Sequence, residues 1–442
     1  MILNTIFKYE LRGNPPQFGG IRDPHLYQTS HMKKISIHII ALLVFVAIAL
    51  LIVVRYYNKQ SNGYELLERK GASAETREWR IMSDYASSLV KAIRKNPRDI
   101  KSKLALVSLF IQEARISGNY AYYDKASLKY VDEVLNMDPE NFEALTYKAL
   151  IYLSQHHFAD GLMVAQKAQQ MNPYNAFIYG ILVDGYVEMG NYDSAVASAD
   201  KMVSIRPDIR SYSRVSYLRE IFGDYPGAIE AMKMAIDAGA PGDETTEWSR
   251  VQLGHLYENI GDLQSAKMHY MIALDERPNY AYALAGMARV VKTEKNYLQA
   301  IRYYEKADSM VNDYSFREEL VDLYNMTGQR EKAKSASNSV INKLSGDAQS
   351  GQNDESIGHY ADRELAYAYL KTSDFNKALK HAMIEYGRRP NNIDANETVA
   401  WVYYCKGDYS KALPYIQTAL KTNSKNPLLL SRAEMIYAKA KR

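Results

Sequence analysis

Nine histidines, one cysteine and 51 acidic residues lie along a chain of 442 residues, and their spacing decides what chemistry they can support. Two ligands on one helix face must stand three or four residues apart to reach the same ion. The histidines offer no such pair, because His156 and His157 are adjacent and point to different sides of a helix or turn, while the others are scattered. A phosphate-binding loop needs a strand before its glycines and a lysine after them, and Gly19-Gly20 has neither. No serine sits in a strand-to-helix elbow, and Cys405, beside Tyr403 and Tyr404 on an expected helix, reads as a packed thiol and not as a nucleophile. The expectation is a protein that is not an enzyme and that needs no cofactor and no metal.

Binding chemistry is a better match to the composition. Charged residues make up 24% of the chain and apolar ones 47%, which is ordinary globular usage and excludes general disorder. A net charge of +4 is too small to imply a nucleic-acid partner, and no basic stripe is present. Tyrosine is in excess, at 37 residues. Most of these fit packing positions between helices, such as Tyr152, Tyr186, Tyr257, Tyr324 and Tyr403, and some are left to face a ligand.

The elements that position these side chains repeat. From Glu247 to Pro278 the order is Leu253-Gly254, Tyr257, Gly261, Ala266, Tyr270, Ala273 and Pro278. Leu253 and Tyr257 lie one turn apart on a first helix, Gly261 can end it, and Ala266, Tyr270 and Ala273 line one face of a second. Small residues at 254 and 266 allow the two helices to approach closely. One such hairpin cannot bury its apolar face alone, so neighbours are required.

Pro139, Pro173, Pro207 and Pro241 recur every 34 residues, and the corner returns as Gly190-Asn191-Tyr192, Gly223-Asp224-Tyr225, Gly261-Asp262-Leu263, Asn296-Tyr297, Gly328, Asp374-Phe375 and Gly407-Asp408-Tyr409. Alanine follows each corner, at 195, 228, 266, 300, 333, 378 and 412. Eight repeats begin near 142, 176, 209, 247, 281, 314, 359 and 393, and an irregular ninth runs from about Arg98 to Pro139. The chain resembles the tetratricopeptide (TPR) repeat proteins over most of its length, which implies an all-α solenoid of about nine helix-turn-helix repeats. The stretch from Ser211 to Trp248 is also similar to the middle of a group of bacterial TPR proteins.

The resemblance implies that first helices line a concave groove, with the second and ninth positions of each repeat facing it. That register selects Phe177, Arg210, Trp248 and Tyr282 from second positions, and Asp184, Tyr217, His255, Arg289, Asp322, Tyr367 and Trp401 from ninth positions. Arg210, Tyr217, Trp248, His255, Tyr282 and Arg289 would form an aromatic and cationic strip, of the residue types enriched at binding hot spots. The plainer alternative is that several of them pack against adjacent helices.

Residues 1–34 read as an unstructured segment broken by Gly13, Pro15-Pro16 and Gly19-Gly20, with Met32 as an alternative start. Residues 35–54 are apolar throughout apart from Ser36 and His38, and at 1.5 Å per residue they span about 30 Å, the thickness of a bilayer core. Lys33-Lys34 before and Arg55-Tyr56-Tyr57 after complete the pattern of a single transmembrane helix. Residues 55–75 read as a linker, 76–342 as the main solenoid, 343–357 as a loop or hinge, and 358–442 as further repeats with a capping helix. Flanking charges nearly balance, so orientation rests on the short N-terminal segment, which places the N-terminus in the cytoplasm and the repeats beyond the membrane, in the periplasm of a bacterium. The leading functional expectation is a membrane-anchored scaffold holding a peptide or protein in its groove. A structural subunit of an envelope, secretion or outer-membrane assembly is second, and a regulatory module of a neighbouring enzyme is third.

Overall fold

The computed structural model describes residues 41–50, 63–353 and 358–440, and divides the chain into two units, Met1–Gly63 and Tyr64–Arg442. In the first unit residues 41–50 are helical and all exposed, with Leu43 at 62% and Phe45 at 70%. The remainder of the expected span 35–54, the N-terminal segment 1–34 and residues 55–62 of the linker lie outside the described residues. Among the described residues no helix is long and apolar enough to cross a membrane.

Every regular element among the described residues of the second unit is a helix. Helix Arg77–Lys95 comes first, with the Thr76 hydroxyl capping the Trp79 amide at 3.1 Å. Nine hairpins follow, spanning Ile100–Met137, Phe142–Met171, Ala176–Ile205, Ile209–Asp237, Glu244–Glu276, Ala281–Met310, Tyr314–Asn353, Asp362–Arg388 and Ile393–Ala419. Helix Pro427–Ala440 closes the stack by burying Leu429, Ala433 and Ile436.

Each hairpin turns in the same way. The corner residue has positive φ in all nine, and in six it is glycine, from Gly118 (φ 72°) to Gly407 (φ 86°). Glycine adopts that left-handed conformation without a Cβ penalty. Asn191, Asp224, Asp262, Asn296 and Asp374 then cap the second helix by accepting from the amide three residues on, at 3.0–3.3 Å. The alanines at 195, 228, 266, 300, 378 and 412 are fully buried where the two helices meet. Tyr270 is also fully buried, and a Cβ on either Gly254 or Gly286 would stand 2.5 Å from its ring.

Two segments differ from expectation. Residues 64–70 of the expected linker pack on the first hairpin, because Arg69 is buried against Glu113 and Glu78 and the Leu67 amide donates to the Tyr123 hydroxyl at 2.9 Å. The expected loop or hinge from 343 is helical to Asn353, since Leu344 is fully buried with Val340, Ala361, Leu365 and Ala368. One apolar residue in register outweighs the polar composition around it. Residues 354–357 lie outside the described residues.

The solenoid also returns upon itself. The Asn312 amide donates to Ser117 at 2.9 Å, that of Tyr360 to Gln155 at 3.0 Å, and that of Ile393 to the Tyr192 hydroxyl at 3.0 Å. Arg277 reaches Glu78 at 3.1 Å, and the Gly223 corner abuts the Asn423 backbone. Partners in these contacts stand 195 to 205 residues apart. Corners one, two and three therefore meet the loops that precede hairpins seven, eight and nine, so one superhelical turn holds six hairpins. Its edges touch at these points, and the expected concave groove becomes the bore of the superhelix.

Candidate functional site

Inner-face residues project from successive first helices, and their neighbours decide which remain available. Arg289, on helix Ala281–Thr293, is held from helix Glu244–Asn259 and from Tyr270: its Nε donates to Glu258 at 2.9 Å and a terminal nitrogen to the Tyr270 hydroxyl at 3.1 Å. Burial opposes its charge, but Tyr270 and Glu258 outweigh that and hold its pKa above the ordinary arginine value. The guanidinium is fixed in place with 31% of its side chain still exposed. His255 stands beside it, and burial, with the nearby Arg289 charge, lowers its pKa against the opposing pull of Glu258. The imidazolium form is thereby disfavoured, and the cationic character expected of the strip rests on arginine. Tyr282 packs edge-on to Phe316 and Tyr280, with ring centroids 5.8 and 5.6 Å away, and burial raises its phenol well above the ordinary range.

These three side chains share one cavity of about 280 Å³, lined also by Val251, Gln252, Ala285, Ser315 and Phe316. The other three members of the expected strip are elsewhere. Arg210 is exposed in a separate cavity of about 310 Å³ between the third and fourth hairpins, its guanidinium 5.1 Å from the Phe177 ring. Tyr217 is 40% exposed and lies among Glu188, Asp394 and Asp184. Trp248 is half-buried on the helix that carries His255 and lines neither of these cavities.

Further inner-face positions are engaged in ion pairs. Asp184 binds Arg214 at 2.6 Å and Asp322 binds Lys371 at 2.7 Å, while the Trp401 ring lies 4.8 Å from the Arg432 guanidinium. Residue-by-residue reading missed Glu258 and Ser315. Continuing the second-position register by one repeat reaches Ser315, and Glu258 is three residues beyond His255 on the same face. Cys405 is half-buried, and burial raises its thiol pKa, away from a nucleophile's. The histidines that failed on spacing are brought together in space, with the His156 and His359 rings 4.1 Å apart.

Residues 249–280 match the family model described as tetratricopeptide repeat. A comparison with curated proteins returns no match. Among solved structures, the chain is similar to the human IFIT1 dimer with m7Gppp-AAAA, at 15% identity over 78% of each chain with a TM-score of 0.48. It is similar to a tetratricopeptide repeat protein from Parabacteroides merdae at 18% identity, covering 56% of this chain and 93% of that one with a TM-score of 0.43. A thermophilic TPR protein of Thermus thermophilus, TTC0263, shares 19% identity over 46% of this chain and 98% of its own, with a TM-score of 0.36. Residues 249–280 thus match a tetratricopeptide repeat, set in an all-helical solenoid whose other hairpins share its positive-φ corner and, in six of them, its buried alanine.

Proposed function

We propose that this protein is a non-enzymatic interaction scaffold that holds an extended protein segment in its bore, with one side chain of the segment inserted between His255, Tyr282 and Arg289. The observation that carries the reading is the 280 Å³ cavity that these three residues share. It is smaller than the roughly 300–1,000 Å³ of small-molecule pockets and suits a single side chain. A partly exposed arginine fixed beside Tyr282 and Phe316 favours an acidic or aromatic one, and such binding weakens with salt. Nucleic acid is not part of the proposal, because a net charge of +4 over 442 residues is small for such a partner.

Site-specific photocrosslinking in living cells tests it, with the photoreactive residue at Gln252 or Ser315 in the cavity, or at Met163 or Met271 on the outer helices. The expected adducts form from the cavity positions and are destroyed by protease but not by nuclease. Adducts from the outer positions alone would favour the second reading, a structural subunit of an envelope assembly, which has its own support. Met163, Met268 and Met271 are 63%, 49% and 55% exposed on second helices, and methionine makes adaptable contact surfaces.

The apolar run 35–54 supports a membrane tether with the repeats on the far side, in the periplasm if the organism is bacterial. Deleting those residues should move the protein from the membrane pellet to the supernatant. Unchanged fractionation would remove the tether from the proposal.

A further inference from the structure

The second hairpin departs from the pattern of the others at its corner. Gln155-His156-His157 stands where glycine and an Asn or Asp cap are the rule, and His156 holds the left-handed conformation at φ 63°. Lys295 and Ser373 share that conformation at their corners but are exposed, whereas His156 is turned inward against the next superhelical turn. A side chain kept at a strained position where glycine is favoured calls for a reason beyond the turn itself.

Its surroundings supply one. His156 Nδ1 lies 3.0 Å from the Tyr360 carbonyl, which can only accept, so Nδ1 carries the proton and Nε2 presents its lone pair. The rings of His156 and His359 lie 4.1 Å apart, and Glu364 on helix Asp362–Lys371 completes a group whose ligand atoms are all within 4.8 Å of one another. Glu364 Oε2 is buried without a hydrogen-bond partner. An orphaned carboxylate oxygen beside two imidazoles, one of them with its lone pair oriented, is a ligand set suited to a cation.

We propose that His156, His359 and Glu364 bind one divalent transition-metal ion, zinc by ligand type, which clasps the second corner to the start of the eighth hairpin. Zinc–ligand bonds of about 2.0–2.2 Å put tetrahedral donor atoms roughly 3.3–3.6 Å apart, so the three side chains must close by about 1 Å. A water completes the fourth position. The nearby Arg389 and Arg363 work against a cation, but Arg389 is paired with Glu188 and Glu385, and Arg363 with Asp394 at 3.9 Å. Glu364 supplies the compensating charge.

The test uses the full chain, purified without a histidine tag and stripped with chelator, and titrates it with zinc against a chromophoric chelator. One equivalent of zinc should bind more tightly than micromolar and raise the melting temperature. His156→Gly keeps the turn conformation used at six other corners, and it should abolish that equivalent. His359→Ala should do the same, and Glu364→Gln should weaken binding at least tenfold, with helical circular dichroism retained in each. Failure of the wild-type chain to bind an equivalent would overturn the proposal. So would binding unchanged in Glu364→Gln and in whichever histidine variant folds, which would assign the zinc to other histidines.

Discussion

At the scale of single residues, the chain buries several charges and treats them in two ways. Asp124 is 5% exposed and accepts a hydrogen bond from the Ser154 hydroxyl at 3.0 Å, and burial raises its pKa to about 7. The folded state therefore binds this proton more tightly than the unfolded chain, whose value is 3.8. Its contribution to stability is complete below about pH 4 and is lost as pH rises to about 7. Asp124→Asn should stabilise the protein at pH 8 by about 2–4 kcal/mol and flatten the pH dependence between 4 and 7 in chemical denaturation. Equal pH profiles for the two proteins would show that Asp124 is charged in the fold. Arg69 and Glu113 are instead buried as a pair, with side-chain exposures of 2% and 0%. Arg69→Ala should cost about 3–5 kcal/mol by leaving Glu113 unpaired, and Glu113→Gln combined with Arg69→Met should recover most of it. A denaturation midpoint for the single variant equal to the wild type would contradict the burial of the pair.

At the scale of the hairpin, close helix contact sets the limits. Gly254 faces Tyr270, where an added Cβ would be 2.5 Å from the ring, and Ala266 is fully buried in the same hairpin. Ala266→Leu and Gly254→Ala should each cost about 1–3 kcal/mol by overpacking, read as a lower denaturation midpoint. Gly254 lies inside a helix, so relief of its backbone entropy would stabilise by about 1 kcal/mol if the space were open, and the sign of the change reports which effect wins. A stabilised Gly254→Ala protein would mean that the two helices stand further apart.

At the scale of the whole molecule, the contact between superhelical turns can be separated from turn strain by comparing two corners. Gly190 and Gly261 have similar φ, 74° and 83°, but a Cβ at 190 would stand 2.2 Å from the Asn391 carbonyl oxygen while nothing lies within 4 Å at 261. Alanine at either position incurs the left-handed penalty of about 1 kcal/mol. Gly190→Ala alone should also part the turns, enlarging the radius of gyration in small-angle scattering and exposing the 389–393 loop to protease. Identical behaviour of the two variants would leave the closure without support. Closure matters for the proposed binding, because a segment must then enter the bore along its axis.

Much of this architecture was legible in the chain itself. Corner, buried alanine and apolar positions recur at a local period, so nine repeats follow from register, whereas the tetratricopeptide resemblance supplied a strip of six residues of which His255, Tyr282 and Arg289 share a cavity. The helix through Leu344–Asn353 was not legible, because one buried leucine in a polar stretch has no periodic signature. The meeting of His156 with His359 and Glu364, and that of Gly190 with Asn391, depended on the tertiary structure. Those contacts span about 200 residues and are fixed by the number of hairpins per superhelical turn. That number is set by small rotations between neighbouring repeats, accumulated over six of them, and no single repeat encodes it.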